Sequence, residues 1–258
     1  MRRRAFAERG ASMRNPPQQV HPDGRMNLLL AKLNAEDYLS LIGNSKVVTL
    51  KSDSRVCNQD EALEAVYFPL TCMICLLVST KSTKPRLELA VIGREGVVGG
   101  TEVLHSQGAL GFHLVQLPGT ALRVPAHIFR KETNARPAIQ QVLNLHLYAL
   151  TRQILQGGLC NNAHTMAQRC ARWLLTTHDH ARQDSFPVTQ EFLSRMLGVR
   201  RATVNAALGD LRKAGFISFV RGRLTVLDID GLQRTSCECY EAVKQVYENV
   251  MGGEPAAE

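Results

Sequence analysis

Short strand-like runs separated by glycine and proline fill residues 47–124, and they constrain the fold more than any other feature. The runs are "VVTLKSDSRV", "AVYFPLTCMICLLVST", "RLELAVIGREGVV" and "FHLVQLPGTALRVP". Several short β-rich runs with regular turn signals are typical of a barrel or jelly roll. Helical periodicity replaces this pattern near residue 133, so we expect an α+β chain. Its 258 residues favour two domains over one.

The first helical segment covers residues 134–155, with Pro137 suited to its first turn. Four apolar side chains repeat there at 4, 3 and 4 residues, the spacing of a coiled-coil seam: Leu143, Leu147, Leu150 and Ile154. Two heptads are too short to be diagnostic, and a stripe at this spacing is more often packed inside its own domain. A dimerisation helix and an intradomain helix are therefore both open at this point.

The segment "VTQEFLSRMLGVRRATVNAAL", residues 188–208, predicts two short helices joined by a tight turn. Thr189 is a suitable N-cap, and Gly198 can adopt the left-handed conformation that the turn requires. The second helix, over 200–213, has one apolar stripe: Val204, Ala207, Leu208 and Leu211. Its opposite face carries hydrogen-bond donors among small side chains: Arg201, Ala202, Asn205, Ala206, Gly209 and Lys213. Such a face suits a major groove, where Arg reads guanine and Asn reads adenine.

The next stretch, "GFISFVRGRLTVLDI", predicts a β-hairpin with Arg221 and Arg223 at its tip, the wing expected beside such a helix pair. Together these motifs resemble the winged helix-turn-helix of the CRP/FNR-like transcription regulators. The resemblance covers residues 28–232 and is strongest over 165–228. The order of parts also agrees, since the family has a cyclic-nucleotide-binding-like jelly roll, a long dimerisation helix and a winged domain.

The resemblance, the change of pattern near residue 133 and the charge distribution together predict five regions. These are a flexible basic arm (1–25), a jelly-roll sensor domain (26–132), a dimerisation helix (133–158), a winged helix-turn-helix domain (159–232) and an acidic C-terminal tail (233–258). The resemblance also implies a cytoplasmic homodimer that regulates transcription, binds a palindromic operator in double-stranded DNA and contacts RNA polymerase. We expect half-sites about one helical turn apart.

The residue roles follow position by position. Arg201 matches an arginine that reads guanine in the cyclic-AMP-receptor branch, and we expect Asn205 to contact a base as well. Phosphate contacts are expected from Thr189, Gln190, Arg200, Arg221 and Arg223. Ala202 and Ala206 replace a glutamate and an arginine that read bases in the known branches. We therefore expect a different operator, since each bidentate contact is worth roughly 1–3 kcal/mol of discrimination.

The sensor half departs further from the family. Gly99-Gly100-Thr101 stands in place of a Gly-Glu-Leu run, and Phe112-His113 stands in place of an Arg-Ser pair. No arginine lies between Arg94 and Arg123. A buried cyclic phosphate would then have no charge partner, so we expect no response to cyclic AMP in the family's usual way. A non-standard small ligand or a redox signal is the alternative, and the cofactor-binding residues are unknown.

The net charge of +8 is unevenly distributed. Residues 160–235 carry 11 basic and 6 acidic side chains, whereas residues 236–258 carry 1 basic and 5 acidic ones. The basic segment is compatible with an anionic partner and equally with a solvated surface. No apolar run is long enough to span a membrane.

The chain has seven cysteines, an odd number. We expect them to be reduced thiols, as is usual in a cytoplasm. We expect Cys72 and Cys75 to be buried structural thiols. The pair Cys237 and Cys239 is either redox-active or merely local. His178-Asp179-His180 is predicted to end a helix rather than bind a metal, because neighbours at i and i+2 point to different sides. The sequence assigns no cofactor and no metal ligands.

Two other classes of function are weighed. A cupin-type metal enzyme would need clustered ligands, yet the β-rich region holds only His105 and His113. No Walker loop or Gly-x-Ser-x-Gly elbow occurs, so we expect no enzyme activity and no catalytic residues. A winged helix that binds a protein instead of DNA is the remaining alternative.

Overall fold

The computed structural model describes residues 24–79, 87–105 and 108–252. The expected basic arm therefore lies outside the described residues except for its last two positions, as do residues 253–258 of the expected tail. Arg25 belongs to a 3₁₀ turn, Gly24–Met26, and its Nη1 donates to the Leu33 carbonyl at 3.1 Å.

The N-terminal domain contains two antiparallel sheets, as the β-rich runs predict. One has the order β1-β7-β3 and the other β2-β6-β4-β5. The strands are β1 Lys46–Leu50, β2 Arg55–Cys57, β3 Ala65–Pro69, β4 Met73–Val78, β5 Leu87–Ile92, β6 Phe112–Leu117 and β7 Gly119–Pro125. Helices α1 Leu28–Ala31 and α2 Ala35–Ile42 precede the sheets, and α3 Gly100–His105 lies between β5 and β6.

The core between the two sheets is apolar. Ile74 of β4, Val115 of β6 and Ala121 of β7 are fully buried in one cluster that contains residues of both sheets. Alternate residues of a strand point to opposite faces, so β4 has a second buried face as well. Met73, Cys75 and Leu77 on that face pack with the C-terminal domain.

Two helices follow the sheets: α4 Ala126–Ala135 and α5 Pro137–Ala163. Pro137 is in the first turn of α5, as predicted. The buried side chains of α5 repeat at intervals of 7, 3, 4 and 7 residues: Ile139, His146, Ala149, Gln153 and Cys160. This stripe faces the chain's own domains.

The predicted apolar seam of α5 lies at the edge of that buried stripe. Leu143 and Leu150 are partly buried against the β domain, and Ile154 is also half-buried. Leu147 is exposed. The exposed apolar face is instead centred on four side chains: Leu147 at 42 %, Tyr148 at 58 %, Leu155 at 61 % and Leu159 at 55 %.

The C-terminal domain begins with α6 Met166–Ala181, which Thr165 and Gln168 start with a capping box. It continues with β8 Ser185–Pro187, α7 Gln190–Leu197, α8 Arg201–Lys213, β9 Ile217–Val220 and β10 Arg223–Val226. The three strands form one antiparallel sheet in the order β8-β10-β9. The predicted hairpin is thus β9–β10, extended by β8.

Two further helices follow, α9 Ile229–Thr235 and α10 Cys239–Gly252. The last three residues of α9 and all of α10 lie in the segment predicted as an acidic tail. Tyr240, Val243, Tyr247 and Val250 repeat at 3, 4 and 3 residues on α10, which packs against α5. Tyr240 is buried, and its hydroxyl donates to Asp179 Oδ2 on α6 at 2.9 Å. Among the described residues of this segment, Glu238, Glu241 and Glu248 are exposed, while the apolar side of α10 belongs to the fold.

Polar contacts tie the two domains together around α6 and α7. Trp173 of α6 donates its indole N–H to Glu88 Oε2 on β5 at 3.2 Å. Arg195 of α7 donates to Asp53 Oδ1 at 3.0 Å. No helix within the described ranges combines the length and the apolar character that crossing a membrane requires.

Candidate nucleic-acid interface

The turn between α7 and α8 has the predicted geometry. Thr189 caps α7, with its hydroxyl accepting from the Phe192 N–H at 3.0 Å. Gly198 ends α7 at φ +66°, where a side chain would be strained. Arg200 occupies the N-cap position of α8 without a side-chain cap bond, so the helix begins one residue later than the predicted range.

Helix α8 buries the predicted stripe and exposes the predicted opposite face. Val204, Ala207, Leu208 and Leu211 are at most 5 % exposed and pack with Leu193 and Met196 of α7 in one cluster. On the other side, Arg201, Ala202, Asn205, Ala206 and Lys213 are exposed, and Gly209 is half-buried. Small residues between the donors leave the backbone of α8 accessible to a groove.

Two of the predicted contact residues meet across the turn. Arg201 Nη2 lies 3.4 Å from Gln190 Oε1, a long contact between the first residues of α8 and α7. Thr189 and Arg200 are exposed next to them, so these four residues form one polar surface at the start of both helices. The free N–H groups at a helix N-terminus favour phosphate at this location.

The wing carries the other two predicted residues. Arg221 and Gly222 form the turn between β9 and β10 with φ of +49° and +76°. Arg223 is exposed, and its Nη2 donates to the Ser185 carbonyl on β8 at 3.1 Å. The structure thus restrains the Arg223 guanidinium, while for Arg221 it shows an exposed side chain at the tip.

The surface around α7, α8 and the wing is strongly basic. Residues 188–226 contain seven basic and two acidic side chains. The acidic ones are Glu191 and Asp210, both exposed. A positive surface of this kind attracts a polyanion, and the attraction weakens with salt.

The sensor positions singled out from the sequence form a closed polar group. His113 is 2 % exposed, and burial lowers its pKa to about 4. Its Nδ1 lies 2.8 Å from the Cys57 sulfur and its Nε2 lies 3.9 Å from Glu102 Oε1. Burial also raises the pKa of the Glu102 carboxyl. A neutral imidazole and a carboxyl therefore occupy this position of the β domain.

His178 and His180 make different contacts at the end of α6. His180 donates from Nε2 to Glu95 Oε1 at 3.2 Å and from Nδ1 to the Thr176 carbonyl at 2.7 Å. His178 bonds to Asp184 instead. Glu95 and His180 border a cavity of about 420 Å³ between the β domain and α10. The triplet ends a helix, as predicted, but His180 also makes an interdomain ion pair that local spacing does not reveal.

The seven cysteines fall into separate environments. Cys72 and Cys75 are buried, as expected, in two different apolar clusters. Cys237 and Cys239 are buried too, and they lie beside Cys160 and His164, which the sequence analysis did not single out. The sequence separates Cys160 from Cys237 by more than 70 residues, so no spacing signal connected them.

The class of protein follows from these parts. A winged helix-turn-helix follows a two-sheet β domain and a long helix, which is the architecture of a DNA-binding regulator with a sensor-like domain. Residues 168–235 match the family model of the Crp-like helix-turn-helix domain.

Solved structures show the same fold over most of the chain. FixK2 from Bradyrhizobium japonicum aligns with a TM-score of 0.62 at 17 % identity, covering 75 % of this chain and 98 % of its own. A CRP/FNR-family transcriptional regulator from Thermus thermophilus gives 0.60 at 17 % identity, covering 74 % and 98 %. The c-di-GMP-responsive regulator CLP from Xanthomonas campestris gives 0.59 at 13 %, covering 75 % and 99 %.

No protein of curated function matches the sequence significantly. Residues 168–235 thus match the Crp-like helix-turn-helix domain, and the chain as a whole has the fold seen in solved structures of CRP/FNR-family transcription regulators.

Proposed function

We propose that the protein is a cytoplasmic homodimer that binds a palindromic operator in double-stranded DNA and regulates transcription without catalysing a reaction. The outer face of α8 carries the proposal, because its exposed Arg201 and Asn205 stand among small side chains within a basic surface. By family resemblance, the DNA-bound dimer contacts RNA polymerase.

Each subunit inserts α8 into one major groove, with Arg201 and Asn205 contacting base edges. Thr189, Gln190 and Arg200 contact phosphates at the start of the two helices, and Arg221 and Arg223 contact phosphates from the wing. The contact between Arg201 and Gln190 at 3.4 Å supports one continuous DNA-facing surface, since it joins a base-reading residue to a phosphate-contacting one.

Dimerisation uses the exposed apolar face of α5, a shifted version of the predicted seam that extends beyond residues 133–158 to Leu159. Leu155 and Leu159 are more than half exposed, which is unfavourable for leucines on a monomer's surface when they adjoin Tyr148 and Leu147. Burying these four side chains between two copies would remove them from water and place two copies of α8 on one face of the dimer.

Cyclic AMP is not the effector in the family's usual way. The region that corresponds by resemblance to the cyclic-phosphate site offers the neutral His113 and the Glu102 carboxyl, and no arginine lies between Arg94 and Arg123. A cyclic phosphate there would lack a guanidinium partner and would face a carboxyl group.

Selection of bound duplexes from a random library, at two salt concentrations and without added ligand, tests the proposal. We expect enrichment of a palindrome with half-sites about one helical turn apart. Affinity should fall with rising salt, because phosphate contacts release counterions. A protein-binding winged helix would instead give no salt-dependent retention of duplex DNA.

Two arginine variants separate base contacts from phosphate contacts. Arg201→Ala should relax specificity at one base pair, with a loss of about 1–3 kcal/mol for the selected operator only. Arg223→Ala should weaken binding to all sequences alike and lower the salt slope by about one. Arg234→Ala is the control, since its exposed side chain lies on α9 outside the basic surface. Equal losses on selected and random DNA for Arg201→Ala would refute its base contact.

The dimer interface has its own test. Leu155→Glu should convert the dimer to a monomer in analytical ultracentrifugation and abolish cooperative binding to the palindrome. Leu39→Glu is the matched control, because Leu39 on α2 is exposed to the same extent, 63 % against 61 %. A Leu155→Glu variant that remained dimeric would place the interface elsewhere.

A further inference from the structure

Four potential metal ligands from separate parts of the chain meet at the junction of the two domains. Cys160 lies in the last turn of α5, and His164 is the residue that ends this helix. Cys237 lies between α9 and α10, and Cys239 is the first residue of α10. The four ligand atoms all lie within 4.8 Å of one another.

The distances suit a tetrahedral metal ion. The sulfurs of Cys160 and Cys237 are 3.6 Å apart, and the Cys239 sulfur is 3.6 Å from His164 Nδ1. Tetrahedral zinc bonds of about 2.3 Å to sulfur and about 2.0 Å to nitrogen require edges of about 3.8 Å and about 3.5 Å. The two short distances are within about 0.2 Å of these edges. The other pairs are at most 4.8 Å apart, so an ion would fit once they contract by up to about 1 Å.

The three thiols of this site do not belong to a larger apolar core. Cys160, Cys237 and Cys239 are at most 4 % exposed, yet among the described residues they form a cluster by themselves. The buried Cys75 and Cys170, in contrast, pack within the large apolar cluster of the C-terminal domain. Three buried thiols that are separate from the larger apolar clusters gain less from apolar packing than from a shared ligand.

The surrounding groups orient the ligands as around structural zinc. His164 Nε2 lies 3.1 Å from Glu238 Oε1, so an Nε2–H donating to this carboxylate leaves the Nδ1 lone pair facing the sulfurs. Gln156 Nε2 donates to the Cys239 sulfur at 3.1 Å, which stabilises a thiolate. The Arg169 guanidinium interacts electrostatically with the sulfurs of Cys160 and Cys237.

From this geometry we propose that Cys160, His164, Cys237 and Cys239 bind one structural zinc ion. Binding displaces the three thiol protons to solvent, and the resulting Zn²⁺ with three thiolates carries one negative charge that Arg169 balances. The soft sulfur donors exclude magnesium and calcium, which take oxygen ligands. Four protein ligands close the coordination shell, which is typical of a structural rather than a catalytic site.

The ion would connect α5, the start of α6 and α10. Arg169 extends this connection, since its Nη2 donates to the Leu197 carbonyl at the end of α7 at 2.8 Å. Zinc would thereby fix the junction between the long helix and the helix-turn-helix, and it would hold α10 against α5. The proposal is independent of DNA binding, because it concerns only the ligands and the fold around them.

Metal analysis of the reduced, full-length protein is the first test. We expect one zinc per chain by mass spectrometry. After removal of zinc, added Co²⁺ should give the intense visible bands of tetrahedral coordination and the near-ultraviolet bands of thiolate-to-cobalt charge transfer. Readdition of Zn²⁺ should abolish both and raise the melting temperature of the metal-free protein.

Variants assign the ligands. Cys239→Ser and His164→Asn should each lower zinc occupancy severalfold and change the cobalt spectrum. The control Cys57→Ser should leave both unchanged, since Cys57 belongs to β2 and is not one of the clustered ligands. Glu238→Gln should keep the stoichiometry but weaken zinc binding by roughly tenfold. Circular dichroism verifies that each variant is folded, and the wild-type measurement depends on none of them.

Two results would overturn the proposal. One is reduced wild-type protein that binds neither zinc nor cobalt above the level of a variant lacking all four ligands. The other is recovery of a Cys160–Cys237 disulfide by peptide mapping of protein that, once reduced, still takes up no metal, which would make these thiols a redox pair.

Discussion

The ion pair between Glu95 and His180 predicts a pH-dependent link between the two domains. His180 belongs to α6, Glu95 follows β5, and their side chains are 19 % and 13 % exposed. Burial alone would lower the pKa of His180, but the Glu95 charge and hydrogen bond raise it from 6.5 to about 9. Burial alone would raise the pKa of Glu95, but His180 lowers it from 4.5 to about 2.

The pKa shifts of His180 and Glu95 give the size of the stabilisation by this ion pair. A tenfold change in proton affinity corresponds to about 1.4 kcal/mol, so the shift of His180 amounts to about 3 kcal/mol of unfolding free energy. The shift of Glu95 describes the same interaction and is not added to it. The ion pair makes its full contribution to the unfolding free energy between pH 4.5 and 6.5, where both groups are charged in the folded and the unfolded chain.

The sign follows from the direction of each shift. Because the folded-state pKa of His180 is raised, its contribution is lost as the pH rises from 6.5 through about 9. Because that of Glu95 is lowered, the contribution is lost again as the pH falls from 4.5 through about 2. His180→Gln should therefore be about 3 kcal/mol less stable than the wild type at pH 6 and nearly as stable at pH 10.

Urea unfolding followed by tryptophan fluorescence measures this difference. Trp173 is the one tryptophan of the chain and lies on α6 with His180. His178→Gln is the matched control, since its partner Asp184 is 79 % exposed and a surface pair contributes little. A wild-type advantage that is equal at pH 6 and pH 10 would refute the ion pair as its cause and assign it to packing.

Three further substitutions test the fold by urea unfolding. Asn27→Ala should cost about 3 kcal/mol, because the buried amide donates to the carbonyls of Pro69 and Gly96 and accepts from two N–H groups of α1. A loss below 1 kcal/mol would contradict this. Leu193→Ala should cost about 3 kcal/mol and loosen α7 against α8, since Leu193 is fully buried, and an unchanged midpoint would refute that packing. Gly198→Ala should cost about 1 kcal/mol because of its φ of +66°, whereas Gly158→Ala, in an open helical position, should gain a few tenths.

Local sequence patterns were sufficient for the helix-turn-helix. The spacing of Val204, Ala207, Leu208 and Leu211 fixed the buried side of α8, and hence its outer face, because a helix has one period and one apolar side. Thr189 and Gly198 marked the ends of α7, since capping and left-handed turns depend on single residues. The strand runs likewise predicted the two-sheet domain.

Local sequence patterns did not predict which face of α5 is buried. Two apolar stripes share this helix, and the sequence cannot tell which one the β domain covers. The tertiary structure buries Ile139 and Ala149 and leaves Tyr148 and Leu155 exposed, so the proposed dimer seam is displaced from the predicted one.

The charge of the final segment was misleading for a related reason. Counting its acidic residues predicted a tail, whereas the spacing of Tyr240, Val243 and Tyr247 builds a helix that packs on α5. A net charge describes the solvent side of an element and contains no information about its buried side.

The sequence by itself determined the class of fold, the two helices of the DNA-binding motif and the residues on their outer face, because these depend on neighbours within a few positions. The tertiary structure alone decided that His180 meets Glu95 and that Cys160 and His164 meet Cys237 and Cys239. Glu95 and His180 are 85 positions apart in the chain, and the first pair of ligands is at least 73 positions from the second. Only the packing of α5, α6 and α10 brings these residues together. Such contacts arise from the fold of the whole chain, and no periodicity encodes them.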